Sequence, residues 1–231
     1  MFPAAAVVDP DVLSSLPPKL VAYTGVDALT HALEATLSGA GTHNPVSDAL
    51  AEDAAALLLG HLRAAASGGG DQDSRAAVMR ASTLAGLAFG SADVGAVHCL
   101  SETLGGLFDV PHGLGNAIFL AATLRHHLAV EDGLARSSGR VRAVLGRLAH
   151  RCASDAPLHV PPPRRGQEAE CFVEAVDKLC ADLRIPKYAE LKIAEHDLAR
   201  IVRMSVENGS NGSNPNGPLN ADEYLSIMAR S

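Results

Sequence analysis

Four residues of this chain have the types and the spacing to hold a divalent cation. Asp27 and His31, in TGVDALTHALEA, stand four positions apart, so a single helix face presents a carboxylate and an imidazole together. His98 and His112 lie fourteen residues apart in VHCLSETLGGLFDVPHGLGNA, with Gly105, Gly106, Pro111 and Gly113 between and beside them. Each piece alone has a plain reading: a surface hydrogen bond along a helix, a core histidine in an Ala/Val/Leu-rich stretch, a residue at a helix start. Together, three imidazoles and one carboxylate suit Fe(II), Zn(II) or a similar borderline cation. Such an ion is a Lewis acid toward a bound oxygen.

Helices must position these groups. Apolar residues make up 47% of the 231, but aromatics only 3%, and Trp is absent, so the core is built from Ala, Leu and Val. Ala and Leu are strong helix formers. After Pro17 and Pro18, the positions Leu20, Tyr23, Val26, Leu29, Ala32 and Leu33 follow helical spacing, with Gly25 among them where another segment approaches closely. Gly39–Gly41 ends this helix, and Asn44–Pro45 starts the next. SGGGDQD, around Gly68–Asp73, reads as a flexible connection. A third helix over Ser74–Gly90 places Met79, Leu84, Leu87 and Ala88 on or near its buried side. A fourth follows over Ala96–Leu107, and a fifth runs from His112 or Gly113 to His127. GRVRAVLGRLAHRC reads as helix, and the proline-rich PLHVPPPRR does not. Glu168–Leu183, Glu195–Val206 and a short segment capped by Asn220 complete the set after the polar NGSNGSNPNG loop. AAVVD near the start has the composition of a short strand, and DPDVLSSL that of a capped turn. The expectation is an all-α domain of about seven to nine helices.

The formal charge of −7 argues against nucleic-acid binding, which favours a basic face. No apolar run approaches the ~18 residues that would span a membrane. Cys99, Cys152, Cys171 and Cys180 form no CxxC pair and read as free thiols of a reducing compartment. MFPAAAVVDPDVL has no basic region before its apolar run, so the expected location is cytoplasmic.

TGVDALTHALEATLS, NPVSDALAEDA and AVHCLSETLGGLFDVPHGLGNAIFL, in that order, resemble the C-terminal helical half of the iron-containing alcohol dehydrogenases. The resemblance is nearly continuous from DPDVLSSLPP to about Leu124. It implies a dehydroquinate synthase-like helical metal-binding domain over 11–231. Residues 1–10 would then be a remnant strand or linker from a missing N-terminal α/β nucleotide-binding domain. It also implies that Asp27, His31, His98 and His112 are the metal ligands, with Fe(II) as the ion and Zn(II) as the alternative. The implied reaction is hydride transfer between a small alcohol or aldehyde and NAD(P).

Two departures from the family stand out. Where many members carry a second histidine one turn after the first of this pair, this chain has Glu102, on the same helix face as His98. It reads either as a group that backs the ligands or lines the pocket, adjusting substrate preference or proton transfer, or as a solvated helix carboxylate. The glycine-rich phosphate loop of the nucleotide domain has no counterpart, since SGGGDQD lies between helices. The expectations are therefore a catalytic half that is inactive alone or, alternatively, a non-catalytic metal-binding module. Either would associate as a homo-oligomer or with a separate nucleotide-binding chain.

Overall fold

Proline opens both of the first long helices, where its missing N–H is no loss and its fixed φ suits the first turn. Helix α1 runs Pro18–Leu37 and α2 runs Pro45–Ala65. Asn44 caps α2 in a reciprocal box with Ser47. The computed structural model describes residues 4–39, 43–67, 71–134, 139–155 and 160–231. The helices α3 Gln72–Phe89, α4 Ala96–Phe108, α5 His112–Gly133, α6 Arg140–Asp155, α7 Glu168–Asp182, α8 Leu198–Glu207 and α9 Ala221–Met228 follow. Short 3-10 turns occupy Pro10–Ser15, Tyr188–Leu191, Glu195–Asp197 and Gly209–Ser213. The fold is all-α, with nine α-helices and no strand among the described residues.

α5 lies at the centre. From Leu114 to Leu128 nearly every side chain is buried, including Phe119, Leu120 and Leu124. A helix apolar all round has to be surrounded, and α1, α4, α6, α7 and α9 pack on it. α2 closes the far side of α1. Gly25 allows this approach, because a Cβ there would lie 2.2 Å from Leu62 Cδ1. Glu131, buried near the end of α5, accepts from the backbone N–H groups of Val141 and Arg142 at 2.9 and 2.8 Å. That carboxylate caps α6 from another helix and draws the two together.

Several expectations change in detail. AAVVD forms no strand: residues 5–9 carry no regular structure and Val7 is 95% exposed, since no neighbouring backbone is there to pair with. Leu87 is exposed, because α3 turns a seam of Ala77, Ala81, Ala85 and Ala88 inward instead. Small residues let α3 lie close against α1 and α2, which leaves the larger Leu87 and Phe89 outside. Leu20, at the rim of α1, is likewise exposed. α5 continues six residues past His127. Glu195–Asp197 is a 3-10 turn leading into α8. Within the glycine run, 68–70 lie outside the described residues, as do 40–42 of the first helix stop and 157–159 of the proline-rich stretch; residues 160–165 are not helical.

His127 on α5 is buried, and burial followed by the charge of neighbouring His126 lowers its pKa to about 4. The folded chain therefore keeps it neutral, whereas the unfolded chain protonates it near pH 6.5. The sign is acid-destabilising: its contribution is complete above pH 6.5 and is lost as pH falls toward 4, by ~3 kcal/mol at most. Denaturant unfolding of wild type and His127→Gln across this window should show a flatter pH dependence in the variant; parallel curves would contradict the assignment.

Candidate metal centre

Three helices carry the four sequence-predicted ligands; Asp27, His31 and His98 form one cluster, and His112 lies beside Asp27. Asp27 and His31 come from the middle of α1, His98 from the first turn of α4 and His112 from the first residue of α5. Between α4 and α5 the chain reverses in three residues. Asp109 takes the left-handed conformation (φ 54°) and Pro111 precedes the new helix. Gly113 then lets α5 start directly against α1, since a Cβ would stand 2.5 Å from the Tyr23 carbonyl oxygen. Gly113→Ala should push the start of α5 away from α1. The expected cost is ~1–3 kcal/mol of stability together with weaker metal binding through displaced His112. A thermal melt and metal titration that both match wild type would refute this.

The ligand atoms of Asp27, His31 and His98 lie within 4.8 Å of one another. His31 Nε2 faces His98 Nε2 at 3.2 Å, and His112 Nε2 lies 3.5 Å from Asp27 Oδ1. The rings of His98 and His112 are 5.2 Å apart between centroids.

Hydrogen bonds behind each ring set its tautomer. His31 Nδ1 donates to the Asp27 carbonyl oxygen at 2.9 Å. His98 Nδ1 donates to Glu34 Oε2 at 2.5 Å. The Ser101 hydroxyl donates to the His112 carbonyl at 2.7 Å, which leaves its oxygen to accept from His112 Nδ1 at 3.2 Å. With every Nδ1 proton engaged, the Nε2 lone pairs are left free: those of His31 and His98 face one another, and that of His112 faces Asp27 Oδ1. The buried Asn116 places its Nδ2 among them, 2.5 Å from Asp27 Oδ1, 3.1 Å from His98 Nε2 and 3.3 Å from His112 Nε2. Three imidazoles and a carboxylate are a donor set that Fe(II) and Zn(II) accept.

Glu34 is the residue that sequence reasoning missed. It stands three positions after His31 on the same side of α1 and is buried. Besides holding His98 it accepts from the Val97 N–H at 2.8 Å. Burial alone would raise its pKa, but the hydrogen bond and charge of His98 outweigh that and lower it. Burial likewise works against His98, yet Glu34 leaves its basicity raised. His31 moves the other way: burial, then the charge of His98, lowers it. A carboxylate behind a metal-facing imidazole fixes the ring and makes it a better donor.

Glu102 is not brought into the cluster. It is exposed, and its Oε2 accepts from Asn208 Nδ2 at 2.8 Å, so its reach to His98 is through charge alone. The cluster is sealed at one end and open at the other: the His98 side chain is 3% exposed and that of His112 44%. On the open side, Asp27 and His31 border a cleft of about 200 Å³ with Thr24, Ala28, Ser82 and Phe89. The Phe89 ring packs 4.6 Å from His31.

Residues 21–231 match the family described as Fe-containing alcohol dehydrogenase family, C-terminal. The chain belongs to this family. It is 34% identical over 219 residues to the 1,3-propanediol dehydrogenase of Citrobacter freundii, covering 93% of this chain and 51% of that protein. A crystal structure of a 1,3-propanediol oxidoreductase superposes with a TM-score of 0.80 at 32% identity, over 96% of this chain and 54% of the other. An iron-containing alcohol dehydrogenase from Thermococcus thioreducens gives 0.82 at 26% identity, over 99% of this chain and 56% of that one. The chain thus spans about half the length of these relatives, and it is an alcohol dehydrogenase C-terminal domain. No helix among the described residues is long and apolar enough to cross a membrane.

Proposed function

We propose that this domain is the metal-holding half of an iron-type alcohol dehydrogenase, with Asp27, His31, His98 and His112 as ligands. The observation that carries this reading is the cluster of Asp27, His31 and His98, their ligand atoms within 4.8 Å of one another, with His112 Nε2 3.5 Å from Asp27 and each ring fixed from behind by its Nδ1 bond. A divalent ion bound there supplies Lewis acidity toward the oxygen of a small alcohol or aldehyde. Fe(II) is the proposed ion and Zn(II) the alternative.

The chain's own residues do the rest by placement. Glu34 and Ser101 hold His98 and His112 in the donor tautomer. The cleft beside His31 offers the Thr24 and Ser82 side chains and one aromatic wall, a size and polarity suited to a short alkyl chain bearing a hydroxyl. Phe89 covers one side of His31 and limits water there. Glu102, at the surface, adds negative potential near His98 without touching the cleft.

Hydride transfer also needs a nicotinamide held against the substrate carbon. Among the described residues no strand leads through a glycine-rich turn into a helix, and the flanks of SGGGDQD are α2 and α3. NAD(P) is therefore assigned to a nucleotide-binding domain outside this helical unit. That domain would be joined to it or supplied by a partner chain. The free thiols accord with a reducing, cytoplasmic setting. The test is direct: the purified 231-residue chain, loaded with Fe(II), is assayed with NADH or NADPH and propanal or 1,3-propanediol. The expected result is one bound ion and no turnover; sustained turnover by this chain alone would overturn the division of labour.

A further inference from the structure

Away from the metal centre, a groove of about 590 Å³ opens where the start of α1 meets the ends of α2 and α7. Its volume is that of a small-molecule site. Each helix brings a cation to it: Lys19 from α1, Arg63 from α2 and Arg184 from just beyond α7. Asp182 is the one acid among its described lining residues. The floor between them is apolar, made by Pro18, Ala22, Ala66 and Leu183. Lys19 stands eight residues before Asp27, which places the groove ~12 Å along α1 from the first metal ligand.

Asp182 does not balance these charges, because it is already engaged. Its Oδ2 accepts from Arg63 Nε at 2.7 Å, and Lys178 Nζ lies 3.0 and 3.1 Å from its two oxygens. Arg63 also donates through Nη1 to the Leu59 carbonyl at 3.2 Å, which fixes the guanidinium and leaves Nη2 uncommitted. The Lys19 ammonium rests 5.4 Å from the centre of the Tyr23 ring, and neither it nor Arg184 pairs with a carboxylate among the described residues. Arg63 and Arg184 have a local use, since they stand at the negative ends of α2 and α7. Lys19 has none. It occupies the first turn of α1, the positive end, where an anion is favoured and a cation is not.

We propose that this groove binds a small anion carrying linked phosphates, of the nucleoside diphosphate class. The phosphates sit between Lys19, Arg63 Nη2 and Arg184, and the flat apolar body of the ligand lies on the floor. Guanidinium forks match phosphate oxygens, and a lysine adds a point charge. At its distance from the metal ligands the bound anion is an effector and not a reactant.

Binding here needs no metal, so ADP is titrated calorimetrically into the metal-free 231-residue chain at fixed ionic strength. Lys19→Gln, Arg184→Gln and the double variant are measured alongside. Both substitutions keep a long polar side chain and remove an exposed charge, so melting temperatures should match wild type. Each should weaken ADP binding ~10-fold, the loss of one charge-assisted hydrogen bond, and the double variant should weaken it further. Arg165→Gln removes an exposed cation that does not line the groove and should bind like wild type. Inorganic pyrophosphate should displace ADP: equal affinity makes the linked phosphates the whole ligand, and weaker affinity adds the nucleoside on the apolar floor. No saturable binding at millimolar ADP, or equal affinity in wild type and the double variant, overturns the proposal. So does adenosine binding as tightly as ADP, or a loss in Arg165→Gln as large as in Lys19→Gln, which would mark a diffuse field and not a site.

Discussion

His98→Ala should lose the cation. Wild type is expected to bind one divalent ion per chain, and the variant to bind at least ~100-fold more weakly, which is ~2.7 kcal/mol of affinity. The loss is large because His98 does two things at once. Its Nε2 is one of the clustered donors, and its Nδ1 donates to Glu34, a carboxylate buried beneath the cluster. Removing the imidazole leaves that charge with backbone donors such as the Val97 N–H. Leaving a buried charged acceptor short of its hydrogen-bond donor typically costs ~1–3 kcal/mol or more, so a lower melting temperature accompanies the lost metal. Metal content measured on the folded fraction separates the two effects. Equal metal content in wild type and variant would remove the site.

Glu34→Ala has the second largest expected effect, although Glu34 touches no metal. It strips His98 Nδ1 and the Val97 N–H of their acceptor. His98 is then free to adopt the other tautomer or to rotate, and it loses the basicity that the carboxylate confers. Removing such a partner typically weakens metal binding ~10–100-fold. Glu34→Gln retains an oxygen for Nδ1 and gives up only the charge, so it should fall between wild type and Glu34→Ala. A series in which Gln and Ala bind metal as tightly as wild type would show that Glu34 is merely a buried acid. Because metal affinity is the readout, the result does not depend on turnover.

Much of this arrangement is legible in the sequence because it follows helical periodicity. Asp27 and His31 share a face by their i,i+4 spacing, and Asn44 and Asn220 each start a helix with a capping box. Glu34 and Asn116 obey the same arithmetic, three residues after His31 and four after His112, and a search for polar residues on the ligand-bearing faces would find both. Other features have no local signal. Asn214 sends its Oδ1 to the backbone N–H of Ala96, 118 positions away, and so satisfies the start of α4 just before His98. Asn211 is buried beside it and bonds the Tyr224 hydroxyl. A run of Asn, Gly and Ser is polar by composition, and only the fold shows that two of its asparagines are structural. Leu87 misleads for the opposite reason: its apolar character suggests burial, but close packing by an alanine seam decides which face of α3 turns inward. Glu102 keeps its helical register with His98 and still faces Asn208 at the surface, since neighbours and not spacing set where a long side chain ends.

The central claim is that one cation sits among three imidazoles and a carboxylate drawn from α1, α4 and α5. X-ray absorption at the metal edge of the purified chain loaded with one equivalent of Zn(II) tests it most directly. The expected spectrum shows nitrogen and oxygen neighbours at about 2.0–2.2 Å with the outer-ring scattering of three histidines. Sulfur neighbours at about 2.3 Å, which would come from cysteine, or a signal lacking imidazole scattering, would contradict it.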